Sequence, residues 1–378
     1  MFFFMRIGLL LPSLLTSKKQ REGRIFAPLS PAILLADTLV EKGHEVYFYT
    51  SGDVQTKAHV IFGDKRLTDS DIKYFQFRDR EASEKKFTTI EIIKRDFEYD
   101  LTLKAYTDAS DGKLDIIHSY HDFGAHYFHE LTKFPTVFTL HNPLPQDKST
   151  VEYLRLSKFK NHSYVSISNS QRESILTLNF VDTIYHGLNL EPYTFNNNPE
   201  NYIVYFGRMI EEKGLDIAIQ VALDLKIKLY IATSITPANT SQDFYNTKIK
   251  PYIDGENIKI FDYMEKNELV NIIKNAKAFL FPLRWKEPFG LTVIESMACG
   301  TPVVAFSNGS MPELIVDGKT GFLVDNSEAI NGLKKAIGNI NQINRKECRE
   351  HIEKNFSKER MTNKYIDAYH KTISRYGT

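Results

Sequence analysis

The chain has 378 residues, and since a single hydrophobic core stops growing at roughly 250 to 300 residues, this length predicts two domains. Hydrophobic residues make up 42% and charged residues 25%, which is typical of a soluble globular protein and argues against a disordered one. The 48 Lys and Arg residues balance 47 Asp and Glu residues, so the net charge of +1 gives no basis for nucleic-acid binding. The two cysteines, Cys299 and Cys348, are too few for a disulfide framework and favour a cytoplasmic location.

Short apolar runs alternate with amphipathic stretches in the first half of the chain, which predicts a parallel sheet covered by crossover helices. The first run, at 7–11, is similar to the apolar part of a signal peptide. Because Arg6 lies inside the apolar stretch rather than before it, we interpret the run as a buried first strand. A helix is predicted at 30–42, and further strands are predicted at 45–49, 114–118, 136–140, 164–167 and 183–185.

A polar segment with two prolines and three consecutive asparagines, LEPYTFNNNPEN, follows at 190–201 and predicts a linker. A second series of elements begins after it, with strands at 202–206, 228–232, 258–261, 278–281 and 303–306 and helices at 215–225, 266–275 and 292–299. The predicted fold class is therefore α/β, with two Rossmann-like domains whose parallel sheets face a central cleft. Ligands of such sheets bind beyond the carboxyl ends of the strands.

The most informative segment is FPLRWKEPFGLTVIESMACGTPVVAF at 281–306, in which a strand leads through a loop into a helix and then into another strand. Glu287 lies in the loop and Glu295 in the first turns of the helix. A loop and helix start direct backbone N–H groups to one spot, which suits a diphosphate without a metal ion, and Gly290 allows a close approach. Because like charges repel, the glutamates are expected to meet neutral hydroxyl groups of a sugar or ribose. Taken singly, each glutamate also fits a solvated or helix-dipole carboxylate.

This segment resembles the signature of the family 4 glycosyltransferases of the GT-B fold: a glutamate, Phe-Gly, a second glutamate, a helix ending in small residues, and Gly-x-Pro-Val-Val-Ala. A second match lies in YFGRMIEEKGLDIAI, where Arg208 and Lys213 flank the turn after a predicted strand. Two cations at that turn can clamp a leaving diphosphate, and the matching residues of the family do so. The stretches LVEKGHEV, YHGLNL and SMPELIVDGKTGFLV extend the resemblance over nearly the whole chain.

The resemblance implies a retaining, metal-independent glycosyltransferase whose donor substrate is a nucleotide diphosphate sugar, with no cofactor. It places Glu287 on sugar hydroxyls, Glu295 on ribose hydroxyls, and largely backbone contacts to the base around Tyr263 and Met264. The other donor-binding residues that it implies are Phe289, Gly290, Leu291 and Thr292.

Histidines that follow first-half strands are further candidates. His141, in TLHNPLP, matches a histidine that the family keeps near the donor sugar and is the candidate catalytic residue of the first domain, although a lone histidine is more often structural. His118 and His121 end the preceding strand and either reach the cleft or cap the strand. Many relatives carry a Gly-Gly pair in the loop after the first strand, where this chain has Gly23 and Arg24 as its candidates for the diphosphate.

The implied organisation is an acceptor-binding domain at 1–190, a linker at 191–201, a nucleotide-sugar-binding domain at 202–356, and a C-terminal helix at 357–378 that crosses back to the first domain. The acceptor is a carbohydrate, a lipid-linked molecule or a small molecule, and its recognition is assigned to the region 54–111. A helix in that region faces water or touches the inner face of a membrane, so a cytoplasmic location with or without peripheral membrane contact is expected.

Three alternatives stay open at the level of sequence: a sugar phosphorylase, a nucleotide-sugar synthase or hydrolase of the same fold, and a noncatalytic relative. Asp69 and Asp71 form an Asp-x-Asp match, which is the metal-binding pattern of another glycosyltransferase fold, but so short a pattern recurs by chance. No strand is followed by Gly-x-Gly-x-x-Gly, which argues against a nicotinamide oxidoreductase.

Overall fold

The computed structural model describes residues 4–21, 26–68, 80–120, 123–236, 240–262 and 264–376, with the backbone alone for 80–90. The chain forms two compact units. Unit 1 comprises Met1–Ile167, Arg172–Tyr185 and Lys358–Thr378, and unit 2 comprises Ser168–Gln171 and His186–Ser357. The Asp-x-Asp match at 69–71 lies outside the described residues.

Unit 1 contains a seven-stranded sheet in which every strand pair is parallel. Its strands are β1 (Arg6–Leu10), β2 (Glu45–Thr50), β3 (His59–Phe62), β4 (Ile116–Ser119), β5 (Thr136–Leu140), β6 (Ser163–Ser166) and β7 (Phe180–Thr183). Their spatial order is β3-β2-β1-β4-β5-β6-β7, so the direction in which strands are added reverses between β1 and β4.

Helices cover both faces of this sheet. The helices of unit 1 are α1 (Lys18–Arg21), α2 (Leu29–Glu41), α3 (Lys65–Thr68), α4 (Arg80–Ser110), α5 (Ala125–Thr132), α6 (Val151–Lys158) and, much later in the chain, α15 (Lys358–Ile373). The short helix α7 (Asn169–Arg172) follows β6, and its first three residues belong to unit 2. Side chains alternate along β1, because Ile7 and Leu9 join a core cluster with residues of α2 and α15, whereas Leu10 joins another with residues of α4. The sheet therefore separates two hydrophobic cores.

Helix α15 covers His118, the residue that ends the predicted strand at 114–118. The ring of His118 is fully buried, its Nδ1 lies 2.8 Å from the hydroxyl of Tyr369, and its Nε2 lies 2.7 Å from Oγ1 of Thr139. Burial lowers the pKa of His118 to about 3, so the ring stays neutral. Of the two alternatives left open for His118, its burial favours the structural one over contact with a ligand, since both ring nitrogens are used within unit 1.

A second group of histidines is buried between α5 and β5 of unit 1. Nδ1 of His126 lies 3.0 Å from Nδ1 of His162, whose Nε2 lies 2.8 Å from a carboxylate oxygen of Glu130. His129 stands edge-on to His162, with ring centroids 4.4 Å apart. Burial, with the positive charge of His162 as a smaller cause, lowers the pKa of His129 to about 4. Burial also lowers the pKa of His44, His118, His162, His186 and His351.

Acidification from pH 7.5 to pH 5 is expected to lower the thermal stability of the protein. Histidines of the unfolded chain take up protons near pH 6.5, whereas His129 of the folded chain does so near pH 4. The stabilisation is therefore complete above pH 6.5 and is lost as the pH falls toward 4, by up to about 1.4 kcal/mol per pH unit for each such histidine. Thermal unfolding at constant ionic strength between pH 5 and pH 8 measures the effect. His129→Gln should reduce the slope, the exposed control His59→Gln should not, and a Tm that is constant over this range contradicts the prediction.

Unit 2 repeats the arrangement with a six-stranded parallel sheet. Its strands are β8 (Tyr202–Phe206), β9 (Lys228–Thr233), β10 (Ile258–Asp262), β11 (Ala278–Phe281), β12 (Val303–Phe306) and β13 (Gly321–Val324), in the order β10-β9-β8-β11-β12-β13. Its helices are α8 (Leu215–Leu225), α9 (Gln242–Phe244), α10 (Lys266–Asn275), α11 (Leu291–Ala298), α12 (Met311–Leu314), α13 (Ala329–Gly338) and α14 (Arg345–Asn355).

Short 3₁₀ turns at Leu14–Thr16, Glu211–Lys213, Lys250–Tyr252, Asn326–Glu328 and Ile340–Gln342 and a π-helical turn at Tyr245–Ile249 complete the described elements. The prediction of an α/β fold with two parallel, Rossmann-like sheets is confirmed. Within the described part of the chain, every helix is too short or too polar to cross a membrane.

Candidate functional site

The strand order of unit 2 reverses between β8 and β11, and at such a switch point the connections leave in opposite directions and open a crevice. The segment that follows β8 carries Arg208 and Lys213, and the segment that follows β11 carries Glu287. Residues that are 74 positions apart in the sequence, Lys213 and Glu287, thereby come into direct contact. The sheet topology places the predicted cations and the first predicted glutamate at one point.

A glycine lets these two segments approach each other. Gly214, which follows the turn Glu211–Lys213 and starts α8, has a φ of 72°, and a Cβ atom there would lie 2.0 Å from the carbonyl oxygen of Pro282. Arg284, in the loop after β11, also joins the two segments, since its guanidinium forms two hydrogen bonds of 2.6 and 2.7 Å with the carboxylate of Asp216 on α8. The turn that carries Lys213 is thus fixed against the loop after β11.

Lys213 and Glu287 form the central contact of the site. The ammonium of Lys213 donates to Oε2 of Glu287 at 2.5 Å, and the indole N–H of Trp285 donates to the same oxygen at 2.8 Å. The ammonium also lies 5.0 Å from the ring centroid of Trp285 and 5.3 Å from that of Phe281. Glu287 therefore has one oxygen held by the protein, and its Oε1 accepts no hydrogen bond from the part of the chain that the structure describes.

Lys213 is only 8% exposed, and burial of an ammonium favours its neutral form. Burial accordingly lowers the pKa of Lys213, with Glu287 opposing the shift by its charge and hydrogen bond and the positive charge of Arg208 adding to it. A buried ammonium with a second cation nearby is stabilised by added negative charge. The pair Arg208 and Lys213 is therefore suited to bind an anion.

The segment 308–310 holds the loop that carries Glu287. The side-chain amide of Asn308 donates to the carbonyl of Trp285 at 2.9 Å, the backbone N–H of Ser310 donates to the carbonyl of Glu287 at 3.1 Å, and the hydroxyl of Ser310 donates to the carbonyl of Phe289. A Cβ atom on Gly309, whose φ is 59°, would lie 2.5 Å from the backbone nitrogen of Glu287. The loop that carries Glu287 is thus fixed through its backbone.

Helix α11 begins directly after this loop. Gly290 precedes it with a φ of 102°, and the first turn, which includes Leu291 and Thr292, carries no acidic residue. Its backbone N–H groups therefore keep their attraction for an anion. Phe289 is buried and packs edge-on against His186, with ring centroids 4.9 Å apart. Phe289 thus anchors the loop by packing into the interior of unit 2.

Glu295 lies one turn further along α11 and is held by two residues that the sequence did not indicate. Its Oε1 accepts a hydrogen bond of 2.5 Å from the hydroxyl of Tyr193 and one of 3.0 Å from the ammonium of Lys266. Lys266 also donates to the hydroxyl of Tyr193 at 2.5 Å and lies 4.2 Å from the centroid of its ring. Oε2 of Glu295 accepts no hydrogen bond from the described residues.

Other predicted site residues have different outcomes. His141 follows β5 of unit 1, is partly exposed and lies against Tyr120, with ring centroids 5.0 Å apart, so its predicted catalytic role stays a prediction. Met264 is half-buried between β10 and α10 of unit 2. The remaining candidates lie outside the described residues, namely Gly23, Arg24, His121 and Tyr263. Among the described side chains, no group of three or more His, Cys, Asp or Glu residues is arranged to hold a metal ion.

Sequence reasoning missed Trp285, Tyr193 and Lys266 as site residues. Trp285 is the only tryptophan of the chain and stands two positions before Glu287, which is a signal that the motif itself offered. Tyr193 lies in the segment predicted to be a linker, yet it is only 5% exposed. Its contact with Glu295 spans 102 positions, so no local pattern could indicate it.

Two family models match consecutive parts of the chain. The model described as "Glycosyltransferase Family 4" matches residues 32–192, and the model described as "Glycosyl transferases group 1" matches residues 191–358. The chain belongs to the family 4 glycosyltransferases. This membership confirms the resemblance found in the two glutamates and in the segment around Arg208 and Lys213.

Curated relatives match this glycosyltransferase family member over part of its length. An "Uncharacterized 41.2 kDa protein in cps region" of Klebsiella pneumoniae is 31% identical over 171 residues, which are 44% of this chain and 45% of that protein. The D-inositol 3-phosphate glycosyltransferase of Corynebacterium aurimucosum is 30% identical over 134 residues, which are 34% of this chain and 32% of that protein. The chain thus spans less than half of the length of these relatives.

Solved structures of similar fold cover nearly the whole chain. A sucrose-phosphate synthase from Thermosynechococcus elongatus aligns with a TM-score of 0.73 at 17% identity, covering 98% of this chain and 100% of that one. Anabaena Alr3699/HepE in complex with UDP and glucose aligns with a TM-score of 0.68 at 15% identity, covering 97% and 100%. At these identities the likeness establishes the GT-B fold alone.

Proposed function

We propose that this protein transfers a sugar from a nucleotide diphosphate sugar to an acceptor hydroxyl, with retention of the anomeric configuration and without a metal ion. The observation that carries the proposal is the contact of Lys213 with Glu287 at the carboxyl ends of β8 and β11. One residue of this pair can bind the diphosphate, and the other can bind the sugar. Membership of the glycosyltransferase family supports the same reaction class.

The diphosphate is assigned to Arg208, Lys213 and the first turn of α11. In the reaction the bond between C1 of the sugar and the diphosphate oxygen breaks, and a bond from the acceptor oxygen to C1 forms on the same face. The acceptor proton passes to an oxygen of the leaving phosphate. Negative charge grows on the leaving oxygen as the first bond breaks, and two cations in a partly buried site stabilise that charge.

The two glutamates are assigned to neutral hydroxyl groups. Oε1 of Glu287, which accepts no hydrogen bond from the described residues, is assigned to the sugar of the donor, because a carboxylate oxygen is a strong acceptor for sugar hydroxyls. Oε2 of Glu295 is assigned to ribose hydroxyls. The protein holds the second oxygen of each carboxylate, so neither glutamate has to be ordered when the donor binds.

UDP-hexoses are the first donors to test, because Anabaena HepE of the same fold was solved with UDP-glucose. The acceptor is proposed to be a carbohydrate, a lipid-linked molecule or a small molecule. A D-inositol 3-phosphate glycosyltransferase among the relatives makes a polyol phosphate the first small molecule to include.

The test is a panel of UDP-, GDP- and ADP-hexoses, in which release of the nucleoside diphosphate is measured with and without acceptors. Because Trp285 is the only tryptophan and contacts Glu287, its fluorescence reports binding at this site directly. We expect at least one nucleoside diphosphate to change the emission, with the corresponding monophosphate as the control that lacks the second phosphate.

Acceptor-dependent nucleotide release and an NMR spectrum with the donor's anomeric configuration in the product are the expected results. Release at the same rate without any acceptor indicates a hydrolase instead. Neither binding nor turnover of any nucleotide sugar contradicts the proposal as a whole.

A further inference from the structure

Glu295, Tyr193 and Lys266 form a closed ring of hydrogen bonds in unit 2. A carboxylate can only accept, so the hydroxyl of Tyr193 must donate to Oε1 of Glu295, and its oxygen then accepts from the ammonium of Lys266. Lys266 completes the ring with its own 3.0 Å hydrogen bond to Oε1. The direction of all three hydrogen bonds is therefore fixed, and two of them end on Oε1 of the glutamate.

The backbone of Tyr193 is held by α14. The guanidinium of Arg349 donates to the carbonyl of Tyr193 at 2.6 Å and to the carbonyl of Ala298, the last residue of α11, at 2.8 Å. Arg345, one turn earlier on α14, donates to the carbonyl of Asn196 at 2.8 Å. Tyr193 is thus joined to the helix that carries Glu295, although it comes from a segment with no regular secondary structure.

Glu287 is held by the same types of side chain as Glu295. Each glutamate has one oxygen that receives a lysine ammonium and an aromatic donor, Trp285 for Glu287 and Tyr193 for Glu295. In both cases the ammonium also lies over the aromatic ring, at 5.0 Å from Trp285 and 4.2 Å from Tyr193. Two carboxylates held in this way, each with one oxygen that accepts no hydrogen bond from the described residues, match a donor that has hydroxyl groups on two sugars.

We propose that Tyr193 and Lys266 are positioning residues that fix Glu295 toward the vicinal diol of the donor ribose and so make the site selective for ribonucleotides. The proposal rests on the proposed function, because it takes the ligand to be a nucleoside diphosphate. A carboxylate that is already oriented loses little conformational freedom when the ligand binds. A mobile glutamate side chain has several rotamers, and restricting it to one of them costs binding free energy. Without the hydrogen bonds from Tyr193 and Lys266, Glu295 binds the ribose diol less strongly, and the selectivity for ribonucleotides over deoxyribonucleotides falls.

The experiment measures the dissociation constants of UDP and of its 2′,3′-dideoxy analogue by calorimetry, with GDP and ADP run alongside. In the parent protein the dideoxy analogue should bind about 10-fold or more weakly, because hydrogen bonds to a charged group are lost. Tyr193→Phe keeps the aromatic ring next to the ammonium of Lys266 and removes the hydroxyl, and Lys266→Met removes the ammonium. In both variants the ratio of the two dissociation constants, dideoxy analogue over UDP, should fall several-fold, because UDP binds more weakly and the analogue does not. The affinity for inorganic pyrophosphate should stay unchanged.

Two controls separate positioning from a general loss of structure. Lys266→Arg retains a donor to Glu295 and should restore most of the ratio, and the exposed Lys335→Met on α13 should leave it unchanged. In a Glu295→Gln background Tyr193→Phe should have no further effect on the ratio, since residues that act through one carboxylate are not additive.

The outcomes also separate this proposal from the proposed function. If the parent binds UDP and its dideoxy analogue equally, or if Tyr193→Phe and Lys266→Met keep the parent's ratio, the positioning role is overturned while nucleotide binding stands. If the parent binds no nucleoside diphosphate at all, the proposed function fails and this inference fails with it.

Discussion

Replacement of Lys213 by methionine is expected to reduce kcat by about 100-fold or more, because the ammonium that stabilises the negative charge on the leaving diphosphate is removed. Methionine keeps an unbranched apolar stem that can pack against Phe281 and Trp285, so the loop after β11 should stay in place. The Tm should change by only a few degrees, which is much less than the effect on turnover. Steady-state kinetics with the best donor of the panel and thermal unfolding of the same preparation measure the two effects.

One side effect of this substitution has to be controlled, because Glu287 loses its cation. A carboxylate left without its partner in a partly buried site destabilises the folded state. The double variant Lys213→Met with Glu287→Gln removes that charge and should recover any lost stability, but not the turnover. Lys335→Met, on the exposed face of α13, is the matched control for the chemical change. If the loss of activity is explained by unfolding of the variant at the assay temperature, the assignment of Lys213 to the diphosphate is contradicted.

Alanine at Gly214 is expected to destabilise unit 2 by about 3 kcal/mol or more, which is among the larger effects of a single substitution. About 1 kcal/mol comes from the left-handed backbone at φ 72°, which a residue with a Cβ atom adopts reluctantly. The larger part comes from the overlap with Pro282, whose carbonyl oxygen would lie 2.0 Å from the new atom. The turn that carries Lys213 has to move away, so activity should be lost together with stability.

Gly318 provides the matched control for this prediction. Its φ of 70° is nearly the same, but a Cβ atom there meets nothing within 4 Å, so Gly318→Ala should cost only the backbone strain of about 1 kcal/mol. Urea unfolding followed by the fluorescence of Trp285 reports the stability of unit 2, since the only tryptophan lies in that unit. Equal midpoints for the two variants show that the close contact with Pro282 is not needed.

The interior of both sheets could be predicted from the sequence because it consists of short, continuous apolar runs. The strands at 136–140, 202–206, 278–281 and 303–306 and the helices at 215–225 and 266–275 were predicted with the bounds that the structure has. In the structure all four of these strands are buried along their whole length. A strand buried on both faces of a parallel sheet needs apolar residues at every position, and that signal is local.

Of the four strands at the sheet edges, three were missed or misplaced, and only β10 was predicted at nearly its observed bounds. His59–Phe62 and Gly321–Val324 were not predicted; both are only partly buried, and the apolar run of each is only three residues long. The edge strand predicted at 183–185 is observed at Phe180–Thr183, where its pairing with β6 has a register shift at Tyr164 and Val165. An edge strand has one neighbour, and its position depends on that neighbour more than on its own composition.

In the candidate site, the residues that belong to a motif could be predicted, whereas the residues that hold them could not. Glu287 and Glu295 follow from spacing within one segment, and the contact between Lys213 and Glu287 follows once the strand order is known. Tyr193 reaches Glu295 only because α14 fixes an irregular segment against α11. The role of His118 stayed open at the level of sequence because the helix that buries it lies about 250 positions later in the chain.

Helix α15 has a consequence for the order in which the protein folds during synthesis. Its side chains, including Tyr365 and Tyr369, complete the hydrophobic core that Ile7 and Leu9 begin at the start of the chain. All of residues 186–357, which make up nearly the whole of unit 2, leave the ribosome before α15 does. Unit 2 can therefore fold while it is being made, whereas unit 1 must remain without one of its core helices until synthesis has passed residue 369.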